Sequence, residues 1–176
     1  MLHIPKIDYR LTVESAFWMR TAISEVGTAE HLNGDNPRII EYLKSVMRGA
    51  LSDEIAWCAA FANWVLAENG LWGTGSPLAR SFLTWDEIKC VELAAPRYGC
   101  VVVLRRGSQP WQGHVGFFIG DNHDGTLKLL GGNQDNQVCI RSYKFADVLG
   151  YRWPLYTVTG VVGKPRSRYN KELVLA

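Results

Sequence analysis

The order of apolar and polar positions divides the chain into a helical half and a strand half. From Ser15 to about Val26, Phe17, Trp18, Ala22, Ile23 and Val26 fall on one helical face, and Gly27 ends the run. The tract from His31 to Pro37 is turn chemistry. A second helix is predicted from about Pro37 to Met47, with proline at its first position and Ile40 and Leu43 on one side. The third begins near Ala56: Phe61, Trp64 and Val65 follow Trp57 at helical spacing, and Asn69-Gly70 is the stop. Ser52, Asp53 and Glu54 stand upstream, where capping side chains and negative charge suit a helix N-terminus. A short helix is predicted after the glycine-rich residues 73–76, from Leu78 to about Leu83.

Beyond that point the period becomes two. Residues 100–104, 114–120, 126–132 and 137–141 read as strands, with Cys90 to Leu93 a short strand or extended connection and Tyr156 to Val162 a last strand. Asp124-Gly125 marks a tight hairpin between the second and third long runs. Helices first and an antiparallel β-meander afterwards give the α+β class. Residues 1–163 are expected to form one domain with an N-terminal arm over 1–13, followed by a basic tail over 164–176.

Composition narrows the function classes. A formal net charge of +2 gives no argument for nucleic acid. The N-terminus lacks the apolar core of a signal peptide, and no apolar run is long enough to cross a bilayer, so synthesis in the cytoplasm without stable membrane insertion is expected. The cysteines, Cys58, Cys90, Cys100 and Cys139, show no zinc spacing with histidine and no C-x-x-C pair; reduced thiols and no metal or other cofactor are expected.

Candidate chemistry starts at Cys58, in the first turn of the third helix, where unpaired N–H groups and the helix dipole favour a thiolate. A cysteine hydrolase also needs an imidazole and a polar group that fixes the imidazole's tautomer. Of His3, His31, His114 and His123, only His114 opens a predicted strand, with Gly113 and Gly116 leaving room for a substrate backbone. Pairing across the Asp124-Gly125 turn brings residues 133–135 back to the level of His114, so Asn133 or Gln134 is placed to meet the imidazole.

Trp57-Cys58-Ala59-Ala60-Phe61, Gly73-Thr74-Gly75-Ser76, Ala79-Arg80-Ser81, Gly113-His114-Val115-Gly116-Phe117 and Leu130-Gly131-Gly132-Asn133-Gln134 occur in that order. Together they resemble the CHAP and NlpC-type superfamily of cysteine amidases and peptidases, over about Trp18 to Pro154. The resemblance implies a papain-like fold and hydrolysis of an amide bond in peptidoglycan, by an N-acetylmuramoyl-L-alanine amidase or a stem-peptide endopeptidase. It matches Cys58 to the nucleophile, His114 to the base and Asn133 to the third residue, with Gln134 as possible support. A thiolate–imidazolium pair is the expected active form. Trp57, Trp72 and Trp111 are expected groove walls, and Arg80 or Arg105 an expected partner for substrate carboxylates, with solvation the favoured reading of Arg105. A monomeric phage endolysin acting on the cell wall fits this reading. The alternatives are a secreted antibacterial effector with an immunity protein, or an inactive wall-binding module of the same fold. Where some relatives place a glutamate two residues before Asn133, this chain has Gly131.

Overall fold

The computed structural model describes residues 16–155. The N-terminal arm, the basic tail, His3 and the strand expected at Tyr156 to Val162 lie outside the described residues. Three α-helices, α1 (Trp18–Ser24), α2 (Pro37–Lys44) and α3 (Cys58–Glu68), precede a 3₁₀ helix (Ala79–Thr84). The strands are β1 (Cys90–Leu93), β2 (Val101–Arg105), β3 (Gly113–Asp121), β4 (Thr126–Gly131), β5 (Cys139–Lys144) and β6 (Val148–Pro154). They form a six-stranded sheet in the order β1-β6-β2-β3-β4-β5, antiparallel at every pairing.

From β2 to β5 the sheet is the expected meander. The last strand breaks it: β6 returns across the sheet and pairs with both β1 and β2. No apolar alternation betrays β6 in Val148-Leu149-Gly150-Tyr151-Arg152-Trp153. Its Arg152 is buried because the guanidinium donates to the Leu83 carbonyl at 2.7 Å and pairs with Glu92 at 3.2 Å.

Helix α3 is the central element. Every side chain from Cys58 to Leu66 is buried, as its apolar, alanine-rich sequence demands. It packs against β3 and β4 of the sheet and against α1 and α2. Tyr42 of α2 sits among Trp57, Phe61 and Trp64, and Phe61 meets Phe117 of β3 edge-on at 6.4 Å. The C-terminus follows the expected stop: Gly70 takes φ +71°, and the Gly70 and Leu71 N–H groups bond back to Ala67 and Leu66.

The N-terminus differs from the expectation. Trp57 is the N-cap and no side chain caps the helix. Asp53 instead accepts from the Asn36 N–H at 2.8 Å and Asp35 accepts from the Asp53 N–H at 3.0 Å, so the acidic residues staple the segment before α3 to the start of α2. With the first helical bond running from the Phe61 N–H to the Trp57 carbonyl, the N–H groups of Cys58, Ala59 and Ala60 are left without intrahelical acceptors.

Candidate active site

Helix α3 presents Cys58 at its first position. The backbone N–H groups of Ala59 and of Val115, the neighbour of His114 on β3, are directed at its sulfur. Burial pushes the thiol pKa up, and these N–H groups and the charge of Arg106 only partly oppose it.

His114 lies at the start of β3, paired with Leu104 of β2, and is 2% exposed. The preceding loop is tied down on both sides. Arg80 donates through Nε to the Gln112 carbonyl at 2.6 Å, and the Gln112 side chain accepts from the Gln109 N–H at 3.1 Å. A Cβ on Gly113 would lie 3.0 Å from Arg80 Cγ, which is why glycine precedes the histidine.

The side chain that meets the imidazole is Gln134. His114 Nε2 and Gln134 Oε1 are 2.9 Å apart. The orientation of the carboxamide is fixed by its other partners. Gln134 Nε2 donates to the Cys139 carbonyl at 2.6 Å and the Leu129 carbonyl at 3.4 Å, groups that only accept. Oε1 must therefore face the ring, where it also accepts from the Tyr143 hydroxyl at 2.9 Å. Burial holds the Tyr143 pKa up at about 12, so this hydroxyl keeps its proton. An oxygen that only accepts requires His114 Nε2 to carry its hydrogen, which leaves Nδ1 as the bare nitrogen of the neutral ring. Nδ1 is buried and has no hydrogen-bond partner among the described residues.

Asn133 occupies a different role. It takes φ +54°, and Asp135 and Asn136 take +55° and +58°. These are left-handed conformations that asparagine and aspartate tolerate best among non-glycine residues. The three turn residues carry the chain round so that Gln134, between them, points inward and is 3% exposed. The Asn133 carboxamide lines the cleft beside His114 without bonding to the ring. The two glycines before it are contact points. A Cβ on Gly132 would lie 2.5 Å from the Trp57 ring and 2.7 Å from Phe61 Cβ, and one on Gly131 would lie 3.0 Å from Gln134 Oε1. The loop thus rests directly on the Cys58 helix. Its far side is held by the segment after α1, where Glu30 N–H bonds to the Asn136 carbonyl and Val138 N–H to the Thr28 carbonyl.

Electrostatics depart from the expected ion pair. Burial, partly opposed by the bond to Gln134 and reinforced by the charge of Arg106, lowers the His114 pKa to about 4. With the thiol raised and the imidazole lowered, both groups are uncharged at neutral pH.

The expected groove walls fare unequally. Trp57 has no exposed surface, and its Nε1–H is engaged by Glu30 at 2.8 Å. It supports the site from beneath and cannot touch a substrate. Arg80 is committed to the Gln112 carbonyl, so it positions the His114 loop. Trp111, 63% exposed, and Trp72, 37% exposed, are open to solvent, but neither lines the cleft beside His114. That cleft, about 330 Å³, is bounded by His114, Asn133, Gln134, Tyr143 and the arginines 105, 106 and 141. All four cysteines are free. Among the described residues no three His, Cys, Asp or Glu side chains gather to hold a metal ion, and no helix is long and apolar enough to cross a membrane.

A comparison with known families now bears on this arrangement: residues 51–133 match the CHAP domain family. That match spans 83 of the 176 residues, just under half of the chain. The match includes Cys58 and His114 and stops one residue before Gln134. Among solved structures, the chain is similar to the wild-type endolysin LysIME-EF1, with a TM-score of 0.55 and 16% sequence identity over 84% of this chain. The chain spans 66% of that endolysin's length. At this identity the likeness establishes a shared fold and supports the α+β, helices-then-sheet architecture. No curated protein matches the sequence.

What sequence reasoning underweighted was Gln134. The available signal was the run Asn133-Gln134-Asp135-Asn136. Three of its members are residues that turns favour, and the remaining one is long enough to reach back.

Proposed function

We propose that this chain is a CHAP-type peptidoglycan hydrolase that cleaves an amide bond, with Cys58 as nucleophile, His114 as general base and acid, and Gln134 as the residue that orients the imidazole. The observation that carries this reading is the locked carboxamide. It forces the hydrogen onto Nε2 and leaves Nδ1 bare, on a ring whose neighbour Val115 points its N–H at the Cys58 sulfur. A bare, buried nitrogen is an unfavourable arrangement unless it serves to take a proton.

The chemistry follows from that polarity. As the Cys58 sulfur attacks the carbonyl carbon, the thiol proton passes to His114 Nδ1, and the ring becomes an imidazolium that still donates to Gln134. The oxyanion accepts from the backbone N–H of Cys58 at the helix start, which has no intrahelical acceptor and where the dipole is favourable. Collapse expels the amine, which takes the proton from Nδ1, and leaves a thioester on Cys58. Water gives a proton to Nδ1 as it attacks the thioester. The tetrahedral adduct then collapses: the C–S bond breaks, Nδ1 returns its proton to the departing sulfur, the carboxylic acid leaves, and the thiol and neutral imidazole are restored.

Loss of turbidity of permeabilised bacteria, measured for wild type and Cys58→Ala, tests the assignment: wild type clears the suspension and the variant does not. Equal clearing by Cys58→Ala overturns it. Mass spectrometry of the released fragments then names the bond. Free L-alanine amino groups on intact glycan denote an amidase, and new termini within the stem an endopeptidase. The fold shared with the endolysin LysIME-EF1 is consistent with an endolysin role; a secreted effector with an immunity partner and an inactive wall-binding module are the other readings of the same fold.

A further inference from the structure

The cleft beside His114 carries more positive charge than the chemistry of the pair uses. Arg105 and Arg106, at and just past the end of β2, and Arg141 of β5 line it, against a single carboxylate, Asp135. Arg141 is already ion-paired with Asp135. Arg105 and Arg106 are exposed, and their guanidinium groups have no ion-pair or hydrogen-bond partner among the described residues. They border the same cavity as the His114 ring, the Gln134 carboxamide and Tyr143. The charge of Arg106 is close enough to act on Cys58, His114 and Tyr143 together.

That position has a cost. A cation beside the imidazole opposes the imidazolium that must form when His114 takes the thiol proton. A bound anion would cancel that opposition at the moment substrate arrives. Guanidinium forks match a carboxylate geometrically, and Arg141, which lines the same cleft, is already ion-paired with a carboxylate there, that of Asp135. Stem peptides of peptidoglycan carry free carboxylates close to their amide bonds. We propose that Arg105 and Arg106 form a carboxylate subsite that takes a free stem-peptide carboxylate next to the scissile amide. This rests on the hydrolase reading given above. It makes the enzyme selective for stems in which that carboxylate has not been converted to a carboxamide.

The test uses two soluble muropeptides identical except that the carboxylate beside the scissile bond is free in one and amidated in the other. Neither carries phosphate. Wild type should cleave the free-carboxylate substrate with a kcat/KM about tenfold or more above the amidated one, most of the difference in KM. Arg106→Ala and Arg105→Ala should each shrink that preference several-fold, with the double variant abolishing it, and Arg106→Lys should retain part of it. Thermal stability should be unchanged, because both side chains are exposed. Equal wild-type rates on the two substrates overturn the subsite while leaving the hydrolase intact. So does a preference that survives in the double variant, or charge dependence that appears only on intact walls rich in phosphate polymers. Cleavage by Cys58→Ala at the wild-type rate, or by no form of the enzyme on either substrate, overturns the hydrolase reading and the subsite with it.

Discussion

Replacing Gln134 with leucine removes the hydrogen bonds of the carboxamide and keeps nearly its volume. Four groups lose a partner: His114 Nε2–H, the Tyr143 hydroxyl, the Cys139 carbonyl and, at the longer distance of 3.4 Å, the Leu129 carbonyl. His114 is buried, so its unpaired N–H costs about 1–3 kcal/mol. Tyr143 and Cys139 are half-buried and reach solvent, so they add less, and the buried leucine returns part of the loss. The sum is roughly 2 kcal/mol, a fall in melting temperature of about 4–8 °C for a chain of this size. The effect on rate should be larger. Without Gln134 the proton is free to move to Nδ1, and the base is then of the wrong polarity. A well-placed general base contributes about 10²–10⁴-fold, so kcat should fall at least about 100-fold, with KM moving less. Asn133→Gly is the companion variant, since glycine accepts φ +54° without strain. It should lose less than about tenfold on the same scale. The assay is release of new amine ends from a soluble muropeptide, with a thermal melt beside it to show that each variant is folded. A folded Gln134→Leu within about threefold of wild type, or a collapse of activity in Asn133→Gly alone, would refute the assignment of the orienting role.

Three further outcomes are expected. A buried histidine with its pKa lowered to about 4 binds fewer protons folded than unfolded, so its contribution to stability is complete above about pH 6.5 and is lost as pH falls toward 4. Between pH 8 and pH 5 wild type should lose about 2 kcal/mol more in urea melts than His114→Gln; parallel curves for the two proteins would contradict this. Gly132→Ala drives a methyl into the Trp57 ring and Phe61, and overpacking of this kind costs about 1–3 kcal/mol. Its melting temperature and its activity should fall together, because the displaced loop carries Gln134; an unaltered melt would mean that the contact relaxes freely. Tyr143→Phe keeps the ring over His114, at 5.3 Å between centroids, and deletes one donor to Gln134. A rate loss of about 2–10-fold is expected from one net hydrogen bond, and a loss as deep as that of Gln134→Leu would show that the hydroxyl has a more direct role.

Much of this arrangement is legible in the sequence because the deciding signals are local. The apolar period of α3, the Asn69-Gly70 stop and the Asp124-Gly125 turn follow from backbone chemistry, and the hairpin register alone carries residues 133–135 to His114. What the sequence withholds depends on packing. β6 is stabilised by its two neighbours and by the Arg152 contacts, and its own pattern does not alternate. Trp57 looks like a groove wall on a helical wheel, yet the loop at Gly131-Gly132 lies on top of it. Choosing between Asn133 and Gln134 required backbone dihedrals: adjacent carboxamides are chemically equivalent until one is spent on a left-handed turn. The uncharged resting pair also escapes sequence reasoning, because it arises from burial of both groups, and the sequence shows only a cysteine and a histidine.

The central claim is that the sulfur of Cys58 becomes bonded to the acyl half of the substrate. Intact-protein mass spectrometry after rapid acid quenching of wild type mixed with a short muropeptide measures this directly. The account predicts a mass increase equal to the acyl fragment, located on the peptide that contains Cys58, sensitive to hydroxylamine as a thioester is, and absent in Cys58→Ala. Turnover of the substrate with no adduct on wild type and at an undiminished rate in Cys58→Ala would contradict it.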